Sequence, residues 1–440
     1  MEDSGNKARP AVVDNTGFQT GGWKAHRVLI VCSLLYVLNY MDRVVFTIVL
    51  QPIKMELSLS DFQLGSIQMA YLLSHGLSVL PISFIVDRWS RTKAIGILAL
   101  SWSIFTAFTG IAWNYAALML SRIFVGIGAT GLAAGGVSLT TTAYPREKQG
   151  WAMGIFNTGI PLGLALGAVT SGIIAATLGW RSPFLMLFCL GLILSIAAFF
   201  LEDYKSINEG ISSSLRGFVQ SVGSLIRVPT LRWFLPGYGL LLITSQAQII
   251  WLPTFLIRRF QIGTDTAGYI ICVLSLLAVA GAIIGGILSD SWYKHDRRGR
   301  LWLPSIASVL SSVFLALSFL CFNLDFWLGI VMSLVFGIIN MTAIPALTIV
   351  SQDVVPPAHK GLSYGLTVLC MYLLGGAWSP MMVGAISDSL GGGAVGLLWA
   401  VIIASAGGML ACLCFFMGAR HYREDEERVL SNTRISKHAA

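Results

Sequence analysis

An acidic and a basic residue stand side by side within one apolar run of this sequence. Asp42 and Arg43 lie in residues 28–50, which are otherwise apolar and long enough to cross a bilayer, a passage that takes about 20 residues. Moving a single charge into the hydrocarbon costs at least ~2.5–3.5 kcal/mol on insertion scales. We therefore expect both side chains to face protein, water or a ligand rather than lipid.

A second arginine falls at a similar depth in a later apolar segment. Asp42 follows Arg27 by 15 residues (42−27), which is about 22 Å from one membrane face, and Arg122 falls about 9 Å from the opposite face. These depths agree within a core of ~30 Å. Arg43 and Arg122 against the one carboxylate of Asp42 would form a net positive site, suited to an organic carboxylate, sulfonate or phosphate. The alternative interpretation is a structural ion pair between Asp42 and one arginine.

One histidine and several uncharged polar residues also lie within apolar segments. His75 falls near the membrane midplane, where an imidazole can titrate near neutral pH, and we predict that Asp42 or His75 takes part in proton coupling. The alternative for His75 is a hydrogen-bonded packing role. We predict that further side chains orient a substrate, unless they only bond neighbouring helices: Asn157, Gln246, Gln248, Asn340, Tyr372 and Trp378.

The composition indicates a helical membrane protein and excludes an ordinary soluble enzyme. Of the 440 residues, 55% are hydrophobic and 11% are charged, with a mean hydropathy of +0.75, whereas soluble domains are about 25% charged. The seven cysteines lie in apolar runs without zinc-ligand spacing, so we expect no metal site, cofactor or disulfide framework. We predict twelve membrane spans, at about residues 27–50, 62–86, 94–113, 116–143, 150–177, 182–201, 231–257, 266–289, 301–321, 326–351, 361–387 and 394–418.

The spans divide into two halves of six, joined by a polar linker. Lysines and arginines concentrate in the loops after spans 2, 4 and 8 and around the linker, so the positive-inside rule puts both termini in the cytoplasm. The formal charge of +8 is then a topology signal, and nucleic acid is not an expected partner. We expect the charged run 423–428 to be solvated. The predicted organisation is an N-terminal cytoplasmic tail at 1–26, six-helix bundles at 27–201 and 231–419, a cytoplasmic linker at 202–230 and a C-terminal cytoplasmic tail at 420–440.

The two halves also repeat each other in sequence. Three positions around span 5 recur at span 11 after one offset of 211 residues (356−145, 361−150, 365−154): Pro145, Gly150 and Gly154 correspond to Pro356, Gly361 and Gly365. A parallel six-span repeat relates the halves by a pseudo-twofold axis along the membrane normal. The substrate site is then expected between the halves, near the midplane.

Several short stretches carry a family resemblance. Residues 87–91 (DRWSR) follow span 2, and span 8 ends in a weaker copy around Asp290. Further stretches are 39–43 (NYMDR), 59–65 (LSDFQLG), 159–163 (GIPLG) with 179–181 (GWR), and 379–388 (SPMMVGAISD). Together they resemble the major facilitator superfamily, and within it the spinster-like and organic anion:cation symporter branch. The resemblance implies the twelve-helix major facilitator fold, alternating access, and a conformational latch formed by Asp87, Arg88, Arg91 and Asp290.

One position in span 4 departs from the pattern of that family. Residues 122–129 (RIFVGIGA) are similar to the family's R-x-x-x-G-x-G-E, so Ala129 stands where the resemblance would supply a proton-coupling carboxylate. Ser83 and Ser90 likewise replace glycines of the loop motif. The coupling hypothesis therefore depends on Asp42 and His75.

These features predict a secondary transporter and not an enzyme. We expect it to move a small organic anion by alternating access, coupled to protons, as a monomer in the plasma (inner) membrane. Two alternatives stay open, an exporter of lysolipids or other amphiphiles, which the spinster resemblance allows, and a non-transporting receptor on the same fold.

Overall fold

The structure is a computed structural model that describes residues 22–201, 215–356 and 359–438. Within these ranges the side chains of residues 87–88, 133–134, 146–147, 215–216, 218–219 and 432–438 are not described. The described residues form helices joined by short turns, without a β-strand.

Seven helices make up the N-terminal half. The short α2 lies between the first two spans, and the other six helices are the spans themselves. In chain order they are α1 (Gly22–Ile48), α2 (Leu50–Leu57), α3 (Asp61–Arg88), α4 (Arg91–Gly110), α5 (Tyr115–Ala143), α6 (Arg146–Leu178) and α7 (Ser182–Phe199).

The C-terminal half has eight helices, of which α8 belongs to the linker. Its fifth span consists of α13, a five-residue π turn (Tyr372–Gly376) and α14. Twelve helical stretches among the described residues are long and apolar enough to cross a membrane, which confirms the predicted number of spans. The helices are α8 (Leu215–Ile226), α9 (Pro229–Phe260), α10 (Thr264–His295), α11 (Gly299–Cys321), α12 (Phe326–Asp353), α13 (Lys360–Met371), α14 (Trp378–Ser389) and α15 (Gly393–His438).

Polar caps in the short loops define where several spans begin. The Ser60 hydroxyl accepts from the Gln63 amide at 3.1 Å, and the Gln63 side chain accepts from the Ser60 amide at 2.9 Å, so α3 starts with a full capping box. The side chains of Asn114 and Asp325 each accept one bond from an amide in the first turn of α5 and α12, at 2.8 Å and 2.9 Å. These bonds satisfy amide groups that would otherwise lack partners at the ends of apolar helices.

The spans pack into two six-helix bundles, as the sequence predicts. In the N-terminal bundle, α1 packs against α6, α3 against α5, and α4 against α5 and α7. In the C-terminal bundle, α9 packs against α15, α11 against α12 and α15, and α10 against α12. The principal contacts between the bundles join α3 to α13 and α14, and α6 to α10.

The two seams between the bundles, α3 with α13 and α14 and α6 with α10, are tightest at one end of the molecule. Since the chain crosses twelve times, α1 begins and α15 leaves the bundle at the same end, here called the terminal end; the opposite one is the distal end. In the distal half, a Cβ on Gly65 would lie 2.2 Å from the carbonyl oxygen of Pro380, and one on Gly268 would lie 2.3 Å from that of Ala168. Glycine thus allows the backbones of opposite bundles to touch there.

In the terminal half, Gly365 of α13 approaches a side chain of the other bundle and not its backbone, since a Cβ there would lie 2.9 Å from Cδ2 of Leu80 on α3. A Cβ on Gly150, Gly154 or Gly361 would meet no atom within 4 Å among the described residues. Asn157 and Tyr364, on α6 and α13, are both exposed. The bundles are therefore closed against each other at the distal end and further apart at the terminal end.

The charged run after the last span differs from its expected state. The sequence predicts a solvated segment at 423–428, but α15 continues through it, and Asp425 and Glu426 are buried. The Asp425 carboxylate accepts from the amide and hydroxyl of Thr230 at 2.9 Å and 2.8 Å, so it caps α9. Glu426 accepts from the Tyr293 hydroxyl at 2.6 Å. The expectation is wrong for these two residues because the extended helix brings them against α9 and α10.

Candidate functional site

The carboxylate of Asp42 is bound to Arg122 inside the N-terminal bundle. Nη1 of Arg122 on α5 lies 3.1 Å from Oδ2 of Asp42 on α1, and both side chains are almost fully buried. The hydroxyl of Thr106 on α4 donates to Oδ1 of Asp42 at 3.4 Å. Asp42 and Arg122, which the sequence places at a similar depth, are thus in contact. Together with Thr106 they join three helices of one bundle.

Aromatic rings enclose the Arg122 guanidinium. Its central carbon lies 4.5 Å from the ring centroid of Phe46 and 4.9 Å from that of Tyr71, with Phe184 at 6.0 Å. Such cation–π contacts are worth more in a site without water. Nε and Nη2 have no hydrogen-bond partner among the described residues. In this conformation Arg122 is sealed from solvent, and its predicted role as a substrate ligand stays a prediction.

The neighbouring arginine, Arg43, points to a different partner. Its Nη2 lies 3.1 Å from Nε2 of His75 on α3. An arginine has donors only, so Nε2 of His75 must accept, and the proton of the neutral imidazole must be on Nδ1. That nitrogen lies 3.1 Å from the hydroxyl oxygen of Thr130 and 3.4 Å from the carbonyl oxygen of Gly126, both on α5.

The hydrogen bonds of Thr130 agree with this tautomer. Its hydroxyl donates to the Gly126 carbonyl at 2.9 Å, so its oxygen is free to accept from Nδ1 of His75. Gly126 makes the arrangement possible, since a Cβ there would lie 2.5 Å from the Tyr71 carbonyl oxygen and 3.2 Å from the His75 amide nitrogen. The result is a directed chain from Arg43 through His75 to α5.

Tyrosines from both bundles surround Arg43 and His75. The Arg43 guanidinium lies 4.8 Å from the ring centroid of Tyr40, and the His75 ring stacks on Tyr71 at 6.3 Å. Tyr372, from the C-terminal bundle, meets the edge of His75 at 5.7 Å and interacts with Arg43. Arg43 is partly exposed, and no carboxylate among the described residues forms an ion pair with it. Its charge is therefore uncompensated at the seam between the bundles.

The π turn brings Tyr372 to this position. A Cβ on Gly375 would lie 2.0 Å from the carbonyl oxygen of Gly239 on α9, so the turn packs directly on that helix. On its other side, the Cβ of Tyr372 would lie 2.9 Å from a Cβ on Gly76, next to His75. Such turns occur often at functional sites. The pair Gly375-Gly376 was the signal in the sequence that could have indicated it.

The other predicted substrate ligands do not converge on Arg43. In the C-terminal bundle, Gln248 donates to the Ser333 carbonyl at 3.3 Å, and Asn340 accepts from the Ser245 hydroxyl at 2.9 Å. These are contacts between helices, which was the alternative interpretation. Gln246 is buried, Asn157 is exposed, and Trp378, 38% exposed, donates to the Leu373 carbonyl at 2.8 Å.

Sequence reasoning missed an ionic network that joins the bundles at the distal end. Asp61, the first residue of α3, is fully buried. Its carboxylate accepts two bonds from Arg258 of α9, at 2.6 Å and 2.7 Å, and one from Ser387 of α14 at 2.8 Å. Lys54 on α2 adds a bond of 2.6 Å from the same bundle. Because Arg258 and Ser387 belong to the opposite bundle, one carboxylate binds both halves.

Two more contacts extend this distal network. The carboxylate of Asp388, in the last turn of α14, accepts from the backbone amides of Asp61 and Phe62 at 3.1 Å and 2.8 Å. It therefore caps α3 from the other bundle. Nε of Arg258 also donates to Gln51 at 2.7 Å. Asp61 and Asp388 both fall in the stretches that carry the family resemblance, which was the available signal.

A separate contact fixes the distal ends of α2 and α7. Glu56 accepts a hydrogen bond from the Trp180 indole at 2.7 Å and one from the Arg181 guanidinium. The bonds from Arg181 and Trp180 hold the pKa of this carboxyl below its ordinary value. The charged form of Glu56 is thus favoured on the surface of the N-terminal bundle.

The predicted latch residues lie at the terminal end. The side chains of Asp87 and Arg88 are outside the described residues, and Arg91 is buried at the start of α4. Asp290 is largely exposed and lies 3.9 Å from Arg300, which also pairs with Asp353. All three of these partners belong to the C-terminal bundle. The latch function stays a prediction.

Comparisons with known proteins agree with this architecture. A family model described as Major Facilitator Superfamily matches residues 32–380. A "Probable L-galactonate transporter" of Escherichia coli is 25% identical over 58% of this chain, which spans only 59% of that protein's length. An "MFS-type efflux pump" of Mycolicibacterium smegmatis is 23% identical over 92% of this chain and 94% of its own length.

A solved structure has the same fold over nearly its full length. It is the crystal structure of a bacterial homolog to the human lysosomal transporter Spinster, in an inward-facing and unoccupied conformation. The TM-score is 0.81 at 21% identity, with 92% of this chain and 99% of the other covered. At that identity the likeness concerns the fold alone.

Proposed function

We propose that this chain, which belongs to the Major Facilitator Superfamily, moves a small organic anion across the membrane by alternating access. The observation that carries the proposal is the guanidinium of the partly exposed Arg43 at the seam between the bundles, where its Nε is buried without a hydrogen-bond partner among the described residues. The carboxylate next to it in sequence, Asp42, is already bound to Arg122. A cation in such surroundings without a counter-ion favours an anionic ligand, because burial is costly for an unpaired charge.

The chemistry of the site suits a carboxylate or a related planar anion. A guanidinium presents two parallel donors to the two oxygens of a carboxylate. The hydroxyl groups of Tyr40 and Tyr372, close to Arg43, offer further donors for a polar substrate. The similarity to an L-galactonate transporter supports a sugar acid or another small organic acid as the substrate class.

The distal network fits the alternation that such a carrier needs. We infer that the distal end faces the outside, since the positive-inside rule puts the termini in the cytoplasm. With the bundles closed at the distal end by Asp61 and Arg258, the site would be reached from the cytoplasm. Transport would then require these bonds to break and the terminal end to close.

An amphiphile exporter is the second candidate. The observation in its favour is the aromatic surface beside Arg43, where Tyr36 and Tyr40 meet at 5.1 Å and could accommodate an apolar group. The similarity to an efflux pump supports export as the direction of movement. Both candidates use Arg43 for a charged head group, so the size of the apolar part distinguishes them.

Uptake into proteoliposomes tests the proposal. The purified full-length chain is reconstituted, and uptake of L-galactonate, D-glucuronate, benzoate and a lysophospholipid is measured with and without a pH gradient. We expect saturable uptake of at least one acid, increased by an inward proton gradient, and none of the lysophospholipid. Lysophospholipid transport without uptake of any acid would favour the second candidate, and binding without flux would indicate a receptor.

A further inference from the structure

We propose that His75 is the proton site of this carrier and that an anion and a proton bind together because both replace the same hydrogen bond, Arg43 to His75. The inference rests on the proposed function, since it assigns the coupling residue of an organic-anion carrier. It goes beyond that function by naming the atom that takes the proton, Nε2 of His75, and the contact that makes the two ligands cooperative.

The bond from Arg43 holds His75 in its neutral form. Arg43 donates to Nε2 at 3.1 Å, which requires a lone pair on that nitrogen. A proton on Nε2 would put two donors and two positive charges at this distance. No carboxylate among the described residues is bound to either group. While Arg43 donates to His75, its guanidinium therefore disfavours a proton on Nε2.

An anion removes that obstacle. When a carboxylate accepts from Arg43, it neutralises the guanidinium and takes over the bond that Arg43 gave to His75. Nε2 is then free to bind a proton from solution and to donate it to the second oxygen of the carboxylate. The anion adds one negative charge and the proton adds one positive charge. The net charge of the site is therefore the same before and after a monovalent anion binds.

The other groups that face His75 permit this exchange. They are Thr130 and the Gly126 carbonyl from α5, Tyr71 from α3 itself and Tyr372 from the π turn, and all are uncharged. Nδ1–H keeps its acceptors on α5 in either protonation state. Only Arg43 from α1 changes its partner, so one contact couples the two ligands.

Asp42 is less suited to this role. It is fully buried, and its two oxygens are bound by Arg122 and Thr106. Protonation would leave the enclosed Arg122 guanidinium without its counter-ion. Arg43 makes no hydrogen bond to Asp42 among the described residues, so an anion that binds Arg43 would not take over a bond of this carboxylate.

Titration calorimetry on the full-length protein tests the proposal, with L-galactonate, D-glucuronate and benzoate as probes. Measurements at one pH in buffers of different ionisation enthalpy give the number of protons taken up per anion bound. We expect one proton per anion, and an affinity that rises about tenfold for each unit of pH decrease as long as His75 of the anion-free protein stays neutral. The number of protons per anion is obtained from the unaltered protein alone.

One substitution and a matched control test whether His75 binds the proton. His75→Gln keeps an acceptor for Arg43 but cannot bind a proton, so we expect anion binding that is independent of pH and without proton uptake. His295→Gln, at the exposed end of α10, should behave like the unaltered protein. Proton uptake that persists in His75→Gln, or that is absent in the unaltered protein although the acid binds, would overturn the proposal. Failure of all three acids to bind would instead contradict the proposed function.

Discussion

Asp61 of the N-terminal bundle and Arg258 of the C-terminal bundle are joined by two parallel hydrogen bonds, Nη2 to Oδ1 at 2.6 Å and Nη1 to Oδ2 at 2.7 Å. Both side chains are buried, at 0% and 7% exposure. A bidentate pair of this kind has strict geometry, so it exists only while the distal ends of α3 and α9 stay together. The pair is therefore a direct reporter of the distal-closed conformation.

Substitution of this carboxylate should open the distal end. Asp61→Asn removes the charge from the bonds to Arg258, and each charge-assisted bond contributes about 1.5–3 kcal/mol. A loss of that size shifts the ratio of closed to open molecules by about tenfold or more. We expect a longer, broader distance distribution between spin labels at Met55→Cys and Leu390→Cys, two exposed distal positions, after replacement of the seven native cysteines.

A matched control separates this effect from a general loss of charge at the distal end. Asp325→Asn alters a carboxylate that caps α12 within one bundle, so the label distances should stay as they are. Arg258→Gln should reproduce the effect of Asp61→Asn. Unchanged label distances in both Asp61→Asn and Arg258→Gln would show that the network does not hold the bundles closed.

The Asp42–Arg122 pair should contribute mainly to stability. Arg122→Gln leaves the Asp42 carboxylate buried without its counter-ion, which costs about 3–5 kcal/mol. We expect a clearly lower thermal unfolding temperature in detergent, whereas Arg423→Gln, in an exposed pair on α15, should change it little. The double variant Asp42→Asn/Arg122→Gln should lose less than the sum of the single losses. Equal unfolding temperatures for Arg122→Gln and the unaltered protein would contradict this assignment.

The sequence predicts two alternatives for Asp42 and Arg122, a substrate site or a structural ion pair. It does not decide between them, for a geometric reason. Helical rise fixes depth, and depth alone brought Arg122 to the level of residues 42 and 43. Adjacent residues on a helix point about 100° apart, so the rotation of α1 decides which of them faces α5. That rotation results from the packing of the whole bundle, and it directs Asp42 to Arg122 and Arg43 to His75.

The cap formed by Asp425 should stabilise the start of α9. Asp425→Ala removes the acceptor of the Thr230 amide and hydroxyl, and loss of such a cap costs about 1–2 kcal/mol. We expect hydrogen exchange of the first amides of α9 to become about tenfold faster. Glu427→Ala, which alters a half-exposed neighbour, should leave these amides unchanged. Exchange of these amides at the same rate in Asp425→Ala as in Glu427→Ala would show that Asp425 does not stabilise the start of α9.

Spans were predictable because length and hydropathy are local properties, and twelve of them are present. The contacts between bundles were not. Asp61 and Asp388 are 327 residues apart (388−61), and each looks like an ordinary loop charge in sequence. The burial of Asp425 and Glu426 was missed for a related reason. A charged helix end is predicted to be solvated unless the helices that pack against it are known.

If Arg43 binds the anion, the concentration dependence of acid uptake in proteoliposomes must change when this arginine is replaced. Arg43→Gln is compared with the unaltered protein and with Arg259→Gln, an exposed arginine at the distal end of α9, after confirming that all three unfold at similar temperatures. We predict that Arg43→Gln raises the half-saturating concentration at least about tenfold, as the loss of a charge-assisted bond of ~1.5–3 kcal/mol requires, and that Arg259→Gln leaves it unchanged. Uptake by Arg43→Gln with the half-saturating concentration of the unaltered protein would show that Arg43 does not bind the anion.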